Sequence, residues 1–259
     1  MTDEAQRRAA TLKPRAAELR RLAEAEKAGP KFGTALRQAH VTVIAEVKRA
    51  SPSKGSINPG LSVQDQVRAY QRGGAAAISI LTEPTRFGGS NDDLIAARRA
   101  TSLPILKKDF HVDPLQILEA RSLGASAALV IVRAVAPTRL RELIDAAREI
   151  ETELLVEVRD ETELEIALAS GAQVIGINNR DLETLEIDAT TAPRLLPLVP
   201  DDVIAVAESG FRIADDVARV AAAGADAVLV GSELSSSPDP EASVRSLAAL
   251  KRSSRAGKG

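Results

Sequence analysis

Cysteine is absent from the 259-residue chain, which excludes disulfides, thiolate nucleophiles and thiolate-held metals. Histidine occurs only at His40 and His111, too few for a histidine-rich metal centre. Aromatic residues make up 2% of the sequence, with no tryptophan and one tyrosine, Tyr70. No apolar run approaches the ~18 residues of a membrane span. Residues 1–31 lack the apolar core of a signal peptide, so a cytoplasmic protein with no membrane partner is expected. An excess of positive charge is also missing. Lys plus Arg number 34 against 36 Asp plus Glu, a formal charge of −2, and a nucleic-acid partner is therefore not expected. What remains is 44% hydrophobic and 27% charged, ordinary for a globular chain. The length fits two small domains or one large single-core fold.

The order of patterns decides between them. Residues 1–31 are polar and rich in Ala, Arg and Glu, and Leu12, Leu19 and Leu22 recur at helical intervals. A helical extension laid across a larger body is expected there, and residues 251–259 form a basic tail expected to be disordered. Between them, short apolar runs occupy residues 41–47, 76–81, 104–106, 127–132, 154–158, 174–177, 203–207 and 227–230. Their near-continuous Val, Ile and Ala suit parallel strands covered on both faces. Helical patterns alternate with them at residues 63–71, 94–100, 114–123, 137–150, 161–169, 192–198, 214–223 and 241–250. Gly-Ala pairs at Gly74-Ala75, Gly124-Ala125, Gly171-Ala172 and Gly224-Ala225 recur about every fifty residues, as a repeat of paired βα units would. Each glycine is expected to end a helix in a left-handed cap. A doubly wound open sheet is the rival architecture, but no G-x-G-x-x-G opens a helix. The pattern predicts a single (β/α)8 TIM barrel over residues 32–250.

In such barrels chemistry sits at the C-terminal ends of the strands. The first strand ends in Glu46-Val47-Lys48, and side-chain alternation puts Ile44, Glu46 and Lys48 on one face. The third runs into Lys107, Lys108, Asp109 and Phe110, and parity turns Lys107 away from Lys108. The fifth reaches Glu157, the sixth Asn178-Asn179-Arg180, the seventh Glu208-Ser209-Gly210 and the eighth Gly231-Ser232. Charges at a barrel mouth cost free energy unless they are paired or used. They either fill the mouth as mutual ion pairs or form a site. Small residues after strands seven and eight suit phosphate, because glycine lets backbone N–H groups approach an anion and serine adds a hydroxyl. A short helix beginning near Glu233 would point its N-terminus the same way. An anion pocket beside lysines and carboxylates, with no cofactor or metal fingerprint, points to proton-transfer chemistry on a sugar phosphate.

The string Ile44-Ala45-Glu46-Val47-Lys48-Arg49-Ala50-Ser51-Pro52-Ser53-Lys54-Gly55 resembles the signature of indole-3-glycerol-phosphate synthases. It is followed in order by Leu81-Thr82-Glu83-Pro84, Phe87-Gly88-Gly89-Ser90, Lys108-Asp109-Phe110 and Asp113-Pro114. Glu157-Val158, residues 176–182, Ala207-Glu208-Ser209-Gly210 and Val230-Gly231-Ser232 complete the likeness, which runs from about Phe32 to about Leu250. The resemblance implies closure of the indole ring in tryptophan biosynthesis. It converts 1-(2-carboxyphenylamino)-1-deoxyribulose 5-phosphate to indole-3-glycerol phosphate, carbon dioxide and water. It implies Lys108 as general acid and Glu157 in the proton transfers of dehydration, with Lys48 and Glu46 steering substrate and sharing the acid role. Asn178 and Arg180 would orient the anthranilate end, with Ser51 nearby, and Glu208 would support the lysines. Phe87 and Phe110 would wall the ring, and Ser209, Gly210, Gly231 and Ser232 would hold the phosphate. The chain departs from the family at Lys107, Leu115 and Phe211, and most in its N-terminal arm, where a helix capping the mouth is expected. Two alternatives stand beside this reading. Phosphoribosylanthranilate isomerase is one, although it is expected to use a Cys and Asp pair that this chain cannot supply; a barrel that only binds sugar phosphates is the other. A monomer acting on a phosphorylated small molecule, with no cofactor, is expected.

Overall fold

The computed structural model describes residues 2–26, 29–51, 55–58, 60–248 and 250–255. Eight parallel strands close on themselves: β1 (His40–Val47), β2 (Ala77–Leu81), β3 (Ile105–Lys108), β4 (Ala127–Ile131), β5 (Glu153–Val158), β6 (Val174–Asn178), β7 (Ile204–Glu208) and β8 (Ala227–Val230). Each pairs with its sequence neighbours, and β8 pairs with β1 through Ala45 and Val230 to complete the (β/α)8 barrel. Alternation along the strands builds two cores. Ile44, Leu106, Leu155 and Val206 face inward and are fully buried, while Val43, Ile105, Val156 and Ala205 pack outward under the helices. Each such buried aliphatic side chain contributes about 1.5–3 kcal/mol, so the site stands on a rigid floor. The four Gly-Ala glycines have φ of 92°, 88°, 84° and 94°, the left-handed caps expected of them.

Strand ends differ from the apolar runs by one or two residues, and the differences bear on chemistry. The third run stops at Leu106, whereas β3 continues through Lys107 and Lys108, which pair with Ile80 and Leu81. Likewise β6 and β7 end on Asn178 and Glu208 rather than on their last apolar residues. Lys107 turns outward and meets Glu119 at 2.6 Å, as parity requires.

The N-terminal arm is more than a cap on the mouth. Helices α1 (Thr2–Leu12) and α2 (Ala16–Ala25) lie along the helix Pro114–Ser122. Leu12 and Leu19 are buried there, but Leu22 is 41% exposed and does not continue the apolar stripe. Arg8 of α1 reaches the mouth and grips Asp109 at 2.9 and 2.7 Å. The short α3 (Phe32–Leu36) plugs the opposite end, with Phe32 and Leu36 fully buried in the inner core. Its first N–H groups donate to the Glu153 carboxylate at 2.5 and 3.1 Å, a favourable charge for a helix start.

The expectation of a frayed tail from residue 251 is wrong for residues 251–255. Leu250 and Lys251 pair antiparallel with Val41 and His40, and the helix Pro240–Leu247 ends before them. Arg255 is buried against Asp226 at 2.8 Å and also donates to the Val203 carbonyl. Asp226 additionally meets Arg252 and accepts the Ala205 N–H. Composition suggested a solvated end, but a buried carboxylate at the barrel base recruits both arginines. Residues 256–259 lie outside the described residues. Removing one partner of a buried pair leaves an uncompensated charge, so Arg255→Ala is expected to cost about 2–3 kcal/mol even with Arg252 remaining. Urea unfolding would measure this, and a loss below about 0.5 kcal/mol, the ordinary surface value, would mean that the clamp is ornamental.

Among the described residues, no helix is long and apolar enough to cross a membrane.

Candidate active site

One cavity opens at the C-terminal ends of the strands. Its wall contains Glu46, Lys48, Ser51, Phe87, Lys108, Phe110, Glu157, Asn178, Arg180, Glu208, Ser209, Gly210, Gly231 and Ser232, all fourteen residues singled out from the sequence. Pro52, Ser53 and Lys54 of the first motif lie outside the described residues.

The floor is a charged cluster on inward strand positions. Lys108 Nζ lies 2.8 Å from Glu208 Oε2 and 3.5 Å from Glu157 Oε2, while Lys48 Nζ lies 2.8 Å from Glu46 Oε1. Glu46, Glu157 and Glu208 are at most 4% exposed. Three buried carboxylates against two ammonium groups leave one negative charge in excess, and this decides the protonation pattern. Burial alone would push Lys108 down, but Glu208, Glu157 and Glu46 together outweigh it and hold the ammonium above the usual lysine range. Glu208 moves the other way from an ordinary carboxylate. Its burial dominates the pull of Lys108, Glu157 and Glu46 add repulsion, and its carboxyl is pushed up to about 7.

Hydrogen bonds fix each member. Asn178 Nδ2 donates to Glu157 Oε1 at 2.9 Å, and Asn178 Oδ1 accepts the Arg180 N–H at 2.9 Å. Where β1 ends, the Glu46 carbonyl accepts from Tyr70 Oη and Ser235 Oγ, and Ser235 Oγ in turn accepts the Lys48 N–H. Asp109, beside Lys108, accepts Thr82 Oγ1 and its own neighbour's N–H as well as Arg8. Burial would raise its carboxyl, yet the Arg8 guanidinium, His111 and Lys107 bring it down to about 2. The charges on the floor are therefore ion-paired, as one reading of the sequence held. They are paired around an open cavity, however, and do not fill it.

The rim divides into two chemistries. After β7, Ser209 and Gly210 both take positive φ, 68° and 92°, and the Ser209 carbonyl is held by Asn179 Nδ2 at 3.0 Å. A left-handed serine costs about 1–3 kcal/mol unless its surroundings fix it, and Asn179 does so. Beside it, after the adjacent β8, a short helix (Ser232–Ser236) begins one residue before the expected start near Glu233. The other side is apolar. Phe87, half-buried, ends the short helix Pro84–Phe87, whose first N–H groups donate to the Glu83 carboxylate. Phe110, after the neighbouring β3, lines the same cavity with Leu81, Leu129 and Ile131. A compact turn after β6 adds Leu182, Leu185 and Ile187. Asp181 Oδ1 builds that turn by accepting from Glu183 and Thr184, and Arg180 Nη1 closes it on the Leu185 carbonyl at 2.7 Å.

Asn179 and these three aliphatic residues were given no role from the sequence. Leu182 stands inside the motif at residues 176–182, and strand parity already places Leu129 and Ile131 inward, so both signals were present. Leu185 carried none, because its position depends on a positive φ of 63°.

A family model for indole-3-glycerol phosphate synthase matches residues 2–247, the N-terminal arm included. "Indole-3-glycerol phosphate synthase 2" of Streptomyces coelicolor is 48% identical over 231 residues, 89% of this chain and 90% of that protein. The indole-3-glycerol phosphate synthase of Nocardioides sp. is 53% identical over 209 residues, 81% of this chain and 80% of that protein. Among solved structures, a thiamine phosphate pyrophosphorylase from Pyrococcus furiosus superposes with a TM-score of 0.61 at 15% identity, covering 80% of this chain and 93% of that one. That last likeness shows the barrel alone. With the family match spanning nearly the whole chain and relatives near 50% identity, the chain belongs to the indole-3-glycerol phosphate synthase family.

Proposed function

We infer that the cavity closes the indole ring, converting 1-(2-carboxyphenylamino)-1-deoxyribulose 5-phosphate to indole-3-glycerol phosphate with loss of carbon dioxide and water. The observation that carries the residue roles is the floor cluster, an ammonium between two buried carboxylates, set between an apolar wall and a turn of small residues. The phosphate sits at the turns after β7 and β8, where Ser209, Gly210, Gly231 and Ser232 offer N–H and hydroxyl donors. The anthranilate ring lies against Phe87, Phe110 and the leucines of the β6 turn. Arg180 faces its carboxylate, and Ser51 lines the same end.

Between these anchors the ribulose carbonyl comes over Lys108. The aromatic carbon bearing the carboxylate attacks the carbonyl carbon, and Lys108 delivers a proton to the oxygen as negative charge builds there. Carbon dioxide then leaves, returning its electron pair to the ring. The new hydroxyl departs as water with a second acid proton, and Glu157 accepts the proton lost from the ring nitrogen–carbon unit. Lys48, held by Glu46, steers the phosphorylated chain and shares the acid role. Glu208 supports Lys108 and, with a carboxyl near neutrality, can return a proton to it. Action as a monomer belongs to the same reading. A biosynthetic role of this kind fits a cytoplasmic location.

The chain lacks tryptophan, so the product reports itself. Adding the carboxyphenylamino-deoxyribulose phosphate is expected to give new indole fluorescence over a weak background from Tyr70. A flat trace with the ligand bound in calorimetry would point instead to a barrel that binds sugar phosphates without turning them over.

A further inference from the structure

Two glycines, Gly176 on β6 and Gly231 just after β8, stand directly against a buried carboxylate. On β6 the inward positions are Val174, Gly176 and Asn178, and Gly176 lies in register with Glu157 on one side and Val206 on the other. A β-carbon at Gly176 would collide with Glu208 Oε1 and come within 3.3 Å of Leu155 Cδ1. Gly231 stands in the same relation to Glu46 Oε1, with Lys48 Nζ 3.3 Å away. Gly176 is not among the residues with positive φ, so its backbone would accept any side chain. It is the space that matters. Glu208 Oε1 is buried there without a hydrogen-bond partner among the described residues, while Oε2 holds Lys108. An orphaned carboxylate oxygen is costly, and packing alone would turn it towards a donor.

We infer that Gly176 is a positioning residue for the reaction: its missing side chain is the seat into which Glu208 settles, and the seat sets the contact between Glu208 and Lys108. The inference rests on the reading of Lys108 as the general acid. Gly231 seats Glu46 in the same way but also lies in the phosphate turn, so the test falls on Gly176. An added methyl displaces the flexible end of Glu208 and not the barrel wall. The fold is retained, and the acid cluster is rearranged by roughly an ångström, a shift that can cost up to about a hundredfold in rate.

Gly176→Ala is expected to lower kcat by about thirtyfold with KM within about twofold, and to leave the melting temperature within a few degrees. Lys108, Glu157 and Glu46 face the Glu208 carboxyl, with Lys48 behind Glu46. Its titration by carbon-13 NMR needs no substrate, and it is expected to shift in the variant. Glu208→Asp withdraws the carboxyl by one methylene, so Gly176→Ala on that background should cost less than about threefold in kcat. An unchanged Glu208 titration, or the same loss of kcat in both backgrounds, overturns the proposal. If Gly176→Ala alone fails to fold, the double variant has room for the methyl and should fold; failure of both also overturns it. Should the wild-type chain form no indole product, the functional reading falls, and the NMR titration still decides whether the seat exists.

Discussion

Lys108→Ala is expected to lower kcat by about a thousandfold or more, with substrate binding largely kept. The side chain contributes the acid proton and the positive field in which the alkoxide forms, and both are lost together. Anchoring at the phosphate turn and the apolar wall does not involve it, so calorimetric titration should still show a complex. The cost to the fold depends on pH, and the sign follows from the cluster. Without Lys108, Glu208 and Glu157 lose the cation between them, and the Glu208 carboxyl, already pushed up to about 7, rises further. A folded state that binds more protons than the unfolded chain loses stability as pH rises. The variant should therefore lie closer to the wild type in stability at pH 6 than at pH 8. Near-normal turnover would remove Lys108 from the acid role. A penalty equal at pH 6 and at pH 8 would show that the buried carboxylates are charged at both values.

The architecture was legible because it rests on repetition. Eight apolar runs, eight helical patterns and four Gly-Ala caps report one physical unit many times, and errors at single boundaries do not disturb the count. The site was legible for a different reason: Glu46, Lys108, Asn178 and Glu208 stand on inward positions of strands, where period-two alternation fixes direction. The same residues explain the boundary errors. An apolar-run criterion stops at Leu106, one residue short of the lysines that complete β3, because it treats the functional side chains as the end of the strand. What stayed hidden depends on contacts distant in sequence. Arg8 and Asp109 are separated by 101 positions, and Asp226 and Arg255 by 29; no periodicity connects either pair. The wall formed by Leu185 and the seat beneath Glu208 belong to the same class, since one follows from a left-handed residue and the other from an atom that is missing.

Glu157→Gln gives the second large effect, and it separates proton transfer from shape. The two side chains are nearly isosteric, and Asn178 Nδ2, which donates to Glu157 Oε1 at 2.9 Å, can donate equally to a glutamine carbonyl. That bond would keep the new side chain in place and direct its NH2 group towards Lys108, 3.5 Å from the present Oε2. The cavity keeps its volume, so KM should stay within about threefold. The amide cannot accept the proton that dehydration releases, and kcat should fall by about a hundredfold or more, the usual contribution of a positioned base. Because the step follows ring closure, single-turnover mixing should show carbon dioxide released before indole fluorescence appears. Alanine at the same position would add a cavity and lose the link to Asn178, confounding the two causes. A rise in KM with kcat unchanged would make Glu157 a binding group, and the base would then have to be sought among the remaining carboxylates, Glu46 and Glu208. Loss of both carbon dioxide release and fluorescence in one step would place Glu157 before decarboxylation, in support of Lys108 during ring closure.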